Sequence, residues 1–145
     1  MLKNIDPLLG PELLRVLRAM GHGDEIAVVD SNYPAEEHAK RLIRMDGHDA
    51  PRLVDAILSV MPVDDMVPEA VFRPAAFGDP KRMEPVFGDF TVVVMKHEPE
   101  RKIVPLAGAD FYNRVKAAFA VVASGEKRLH GNLIIRKGVI YPRNE

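Results

Sequence analysis

Cysteine is absent from the 145-residue chain, which excludes disulfides, thiolate metal ligands and a cysteine nucleophile. An excess of charge is missing too: 20 Lys and Arg oppose 21 Asp and Glu, a formal net charge of −1. No overall basic field therefore draws the chain to nucleic acid or to anionic lipid. No apolar stretch approaches the ~20 residues that span a bilayer. The leucine-rich start is broken by Asp6, Pro7, Gly10, Pro11 and Glu12 before it reaches the length of a signal-peptide core. These absences lead to the expectation of a soluble protein without membrane partners, compatible with the cytoplasm. Catalytic signatures are also missing. There is no Gly-x-Gly-x-x-Gly or Gly-Lys-Ser/Thr phosphate loop, no His-Glu-x-x-His helix and no Gly-x-Ser-x-Gly elbow, so nucleotide-dependent chemistry and zinc proteolysis lose support.

What is present is apolar material, 47% of the residues. A chain this long removes roughly 70% of its unfolded surface from water, enough for one core, and residues 1–145 read as a single domain. Pro11 suits a first helical turn, and Leu13, Leu14, Leu17 and Met20 follow on one face, with Gly21 expected as a left-handed cap. Ile26-Ala27-Val28-Val29 is a continuous apolar run ending at Asp30, the pattern of a strand buried on both faces. A short helical turn is expected over 35–40 and a strand over 41–45. A helix from Pro51 carries Leu53, Val54, Ile57, Leu58 and Met61 on one side. Prolines 62, 68, 74, 80 and 85 then forbid long elements, leaving room for a short strand at Val71-Phe72. Residues 86–97 are ambiguous, since Thr91-Val92-Val93-Val94 favours a strand and the Pro85 start allows a helix. Asp110 is expected to cap a helix through Lys116. Residues 118–123 read as a strand, and 133–135 with 139–141 as a hairpin around Lys137-Gly138. Helices alternating with apolar strands predict an α/β fold, one sheet between helical layers.

Polar residues at the ends of these runs are the candidates for chemistry. His22 and Asp24 occupy a turn flanked by Gly21 and Gly23, neither of which has a side chain to cover the imidazole. Asp30 lies at the carboxyl end of the buried strand, where open α/β sheets bind ligands. His130 and Asn132 precede another strand. An imidazole and a carboxylate are the minimum kit for proton transfer. Each residue also has a plainer role as turn punctuation, cap or strand terminator. A metal held by His22, Asp30 and His130 is conceivable, yet nothing in the spacing selects for it.

Pro11-Glu12-Leu13-Leu14 and Met20-Gly21-His22-Gly23-Asp24-Glu25-Ile26 resemble the start of the fucose mutarotase and ribose pyranase family. Asp30-Ser31-Asn32-Tyr33-Pro34-Ala35, Arg44-Met45-Asp46-Gly47, Phe111-Tyr112, Ala118-Phe119-Ala120, Gly131-Asn132 and Lys137-Gly138-Val139 extend the likeness, which is weakest from 80 to 109. Gly-His-Gly-Asp is closer to the fucose branch. The resemblance implies a small α/β protein in a ring-based decamer, with sites near subunit contacts and no cofactor. Its expected activity interconverts anomers or ring forms of a free monosaccharide. It further implies His22 as proton donor and Asp30 as a sugar contact. The family's Tyr-Gly/Ala-Asn segment falls on His130-Gly131-Asn132, and a basic sugar contact of the fucose members falls on Gly108. A non-catalytic sugar-binding or transport-accessory protein is the alternative from another class. A metal-dependent sugar isomerase or hydrolase is a third.

Overall fold

The computed structural model describes residues 1–143. Six strands form one sheet: β1 (Glu25–Val29), β2 (Leu42–Met45), β3 (Val71–Pro74), β4 (Ile103–Leu106), β5 (Ala120–Ser124) and β6 (Leu133–Arg136). Their order is β2-β5-β1-β6-β3-β4. The β1–β5, β2–β5 and β3–β4 pairs are parallel, whereas β6 runs antiparallel to both neighbours, β1 and β3. The α/β expectation of a sheet between helical layers holds.

Alternation along the strands sends side chains into two cores. Ile26, Val28, Val122, Leu133 and Ile135 pack with residues of α1 (Pro11–Ala19), α3 (Ala50–Leu58) and α4 (Pro85–His97). On the opposite face Ala27, Val29, Val121 and Ile134 meet Ala35 of the short α2 (Ala35–His38) and Phe111 and Val115 of α5 (Gly108–Ala117). Both faces of β1 are thus covered, which is why its run is uninterruptedly apolar. The α3 start is capped by Asp49, whose side chain accepts the Arg52 N–H at 2.8 Å. No helix among the described residues is long and apolar enough to cross a membrane.

Several elements depart from expectation. Gly21 is not a left-handed cap: α1 ends at Ala19, Met20 is extended, and Lys137 Nζ donates to the Leu17 and Met20 carbonyls, satisfying the helix end from outside. Asp110 is not the α5 cap. Ala107 is, and Asp110 lies in the first turn, where its charge complements the helix dipole. Residues 86–97 resolve as helix because Val86, Phe87, Phe90 and Val94 reach the core together, and tertiary packing overrides the β-branched run. β4 has no counterpart in the sequence reading. Pro105 hides it, and is tolerated because β4 is an edge strand. The expected hairpin does not form. Both edges of β6 are taken by β1 and β3, and 139–141 are not strand.

Gly125, just after β5, is required by close approach: a Cβ there would collide with the Asp46 backbone carbonyl. Gly125→Ala is expected to cost about 1–3 kcal/mol, the usual penalty of overpacking. Urea unfolding measures it, and wild-type stability would mean that the 46–48 loop yields freely.

Candidate functional site

The candidate residues gather at the two ends of β1. At its amino end the turn Gly21–Asp24 is closed by Asp24, whose carboxylate accepts the Gly21 N–H at 2.7 Å. Gly23 adopts φ +87°, and a Cβ on it would lie 3.0 Å from the Arg136 guanidinium, so glycine is needed twice over. The turn presents His22 with 41% of its side chain exposed. His22 Nε2 lies 3.1 Å from Oδ1 of Asp64, a carboxylate with no exposed side-chain surface. Arg136 Nε donates to Asp64 Oδ2 at 2.7 Å, and the Met66 N–H donates to Oδ1 at 3.0 Å. Burial by itself pushes the Asp64 carboxyl up. The hydrogen bonds from Arg136, Met66 and His22 outweigh it and hold the group down at about 2. An ionised carboxylate only accepts, so Nε2 carries the proton toward Asp64, and Nδ1 is left to exchange one with a ligand.

At the carboxyl end, Asp30 is buried. Its N–H donates to Asn132 Oδ1 at 2.7 Å, and its Oδ1 accepts the Asn32 N–H at 2.9 Å. Burial raises the Asp30 carboxyl above the ordinary carboxylate range, against the opposing hydrogen bonds of Asn32 and Asn132. Asp30 borders a cavity of about 250 Å³ that Tyr33 and Arg44 also line. The Tyr33 hydroxyl is hydrogen-bonded with His38 Nδ1 at 2.9 Å, and its ring meets the Tyr112 ring at 5.5 Å between centroids. Burial, then Tyr112 and Asp30, push the Tyr33 hydroxyl up, which keeps it protonated. His130 sits in the left-handed region at φ +62°, edge-on to Phe77 with ring centroids 4.7 Å apart. Its Nε2 is buried and has no hydrogen-bond partner among the described residues. The loop that holds it is braced by Glu126, which pairs with Arg128, itself paired with Asp89 of α4. Ser31 ties the Asp30 loop to it through the Glu126 carbonyl at 2.8 Å.

The fold therefore brings Asp30, Asn132 and the His130 turn together and puts His22 elsewhere. At ~3.3 Å per residue, the four steps of β1 alone part His22 from Asp30 by about 13 Å. That separation also dismantles the His22-Asp30-His130 metal arrangement. Among the described residues no group of three or more His, Asp or Glu is placed to hold a metal ion. Gly108 is the exposed first residue of α5, with nothing within 4 Å of where its Cβ would stand. Asp64 and Arg136 were missed by sequence reading. Asp64 sits among scattered prolines, and its partners lie 42 and 72 residues away, so no local pattern marks it.

The model of the RbsD / FucU transport protein family matches residues 3–140. The chain belongs to that family. It is 40% identical to the human fucose mutarotase, over 96% of this chain and 94% of that one. Among solved structures, the Streptococcus pneumoniae fucose mutarotase in complex with L-fucose is 38% identical, with TM-score 0.87 over 97% of this chain and all of its own. FucU from Bifidobacterium longum is 35% identical, with TM-score 0.90 over 96% of this chain and all of its own. As a member of the RbsD / FucU family the chain carries its fold over residues 3–140, including the 80–109 segment where the sequence likeness was weakest.

The Asp64 carboxyl makes a checkable demand on stability. Its folded pKa lies below the ordinary 3.8, so its contribution is complete above that value and is lost as pH falls toward about 2. Asp64→Asn is expected to destabilise the protein at pH 7, with the gap to wild type closing between about pH 4 and 2. Urea unfolding across that range reads it. A gap independent of pH would show that the ionised pair is not what holds the turn.

Proposed function

We propose that the protein is a cofactor-independent monosaccharide mutarotase that interconverts the anomers or ring forms of a free aldose such as L-fucose. The observation that carries this reading is the near-full-length identity to proteins named fucose mutarotase, one of them solved with L-fucose. Ring opening needs a proton delivered to the ring oxygen and another removed from the anomeric hydroxyl. The open aldehyde turns about C1–C2 and recloses on either face. No electrons or phosphates move. His22, oriented by Asp64, supplies an exposed Nδ1 for one transfer, and a positioned acid or base contributes about 10²–10⁴-fold. Asp30, made more basic by burial, accepts from a sugar hydroxyl, while Asn132 beside it fixes the ring's orientation. Gly108 leaves the start of α5 open on the side where fucose members carry a basic contact.

Because β1 of one copy holds His22 and Asp30 apart, a site containing both draws them from two copies. That requirement supports the homo-oligomer, a decamer by family likeness, with its sites between subunits. The cytoplasm, where free monosaccharides are metabolised, is the compartment this reading assigns. The rival reading, in a family named for transport, is a sugar-binding accessory protein without catalysis.

Saturation-transfer NMR on L-fucose at anomeric equilibrium separates the two readings: a binder leaves exchange at its spontaneous rate. His22→Ala is expected to lower the enhanced exchange by about 10²–10⁴-fold without unfolding the chain. Co-assembly of His22→Ala with Asp30→Asn chains is expected to recover part of the activity, since some interfaces then hold both native residues. No recovery, or a monomer by light scattering, would sink the shared site. His130→Tyr, which restores the residue the family carries at this place, is expected to stay active, whereas His130→Ala is expected to lower the enhanced exchange. Undiminished exchange in His130→Ala would retire His130 from the site.

A further inference from the structure

Arg73, the third residue of β3, is a buried cation without a counter-charge among the described residues. Its relative exposure is 6%. Alternation along β3 puts Phe72 in the α5-side core and turns Arg73 to the other face, where its guanidinium stacks on Phe87 of α4 at 4.2 Å. All three of its hydrogen-bond partners are neutral: the Pro74 carbonyl at 3.0 Å, the Pro80 carbonyl at 3.2 Å and Met83 Sδ at 3.9 Å. Burial, which disfavours the charged form, lowers its pKa, with no neighbouring carboxylate pushing the other way. A guanidinium is never deprotonated in a protein, and a buried charge is normally paired. The fold carries this uncompensated charge at the wall of a cavity of about 440 Å³ between α4 and the edge strand β4. Val94, Met95, Met83 and Ile103 make the cavity apolar, and Arg101 and Lys102 add positive charge at its rim.

We propose that this groove binds a small organic monoanion, its carboxylate paired with Arg73 and its apolar body laid along Val94, Met95 and Ile103. The Arg73 hydrogens not taken by Pro74, Pro80 and Met83 can donate a charge-assisted hydrogen bond to a carboxylate. A single buried cation neutralises one negative charge, and the apolar walls leave a second without solvation, which selects a monoanion over a phosphate dianion. The methionines, half or more exposed in this structure, are flexible enough to close over such a body. The site lies on the opposite face of the sheet from the α5-side core and is independent of the sugar chemistry proposed above.

Hexanoate is the probe, hexanamide its uncharged counterpart, and arginine Nε–Hε NMR the readout. Hexanoate is expected to shift one arginine resonance saturably, and hexanamide to leave it in place. Arg73→Met is expected to weaken hexanoate binding by about tenfold or more, the loss of a charge-assisted pair. Met95→Glu, a change at an exposed position, is expected to abolish binding by supplying the carboxylate from within. An equal response to hexanamide, no saturable response, or undiminished binding by Arg73→Met overturns the proposal. So does a smaller assembly of Arg73→Met by light scattering, because the groove would then be filled by an acidic group of a second copy.

Discussion

The antiparallel pairing of β6 with β1 is the constraint on which the remaining arrangement depends. Its register sets Glu25 opposite Arg136 and Val28 opposite Leu133. The residues before β6 are thereby delivered to the carboxyl end of β1, and those after it to the amino end. Asn132 reaches the Asp30 backbone only because of the first placement. Arg136 and Lys137 reach Asp64 and the end of α1 only because of the second. A slip of one residue would turn every β6 side chain to the opposite core, so burial on both faces fixes the register and, with it, both polar clusters.

The two ends of β1 carry opposite electrostatic settings. At the amino end Asp64 is fully buried but compensated by a cation, an amide and an imidazole, and it stays ionised. At the carboxyl end Asp30 is buried with amide partners and no facing cation within salt-bridge distance, and its carboxyl is raised. One carboxylate therefore serves to orient an imidazole, and the other keeps proton affinity for a ligand. Proton transfer to a sugar calls for this division between a fixed, ionised support and a more basic acceptor. Within one chain the two settings lie a strand's length apart, which is why the proposed site is drawn from two copies.

Arg73 presents the same physics without its compensation. Asp64 is matched within the chain, whereas the guanidinium of Arg73 has neutral acceptors on one side and an open groove on the other. A buried charge left in this condition lowers stability, and it persists more readily where an anion supplies the missing partner.

Much of the scaffold was legible from local pattern. The apolar run at 26–29 read as a strand covered on both faces, that at 118–123 as a strand, and the apolar stripes after Pro11 and Pro51 as helices, because periodicity records which faces are buried. His22, Asp30 and Asn132 were legible as polar residues at the ends of such runs, and the quoted segments carried the family likeness. The helix at 85–97 and the edge strand at 103–106 were not, since packing against α3 decides the first and pairing with β3 the second. Sequence by itself determined the composition of the cores, the α/β class and the kinds of residue available for proton transfer, all of which are short-range properties. Only the tertiary structure decided that Asp64 and Arg136 hold His22, that Asp30 lies a strand's length away, and that Arg73 is uncompensated. The first of these depends on residues 42 and 72 positions apart meeting in one place, and no local spacing encodes such a meeting.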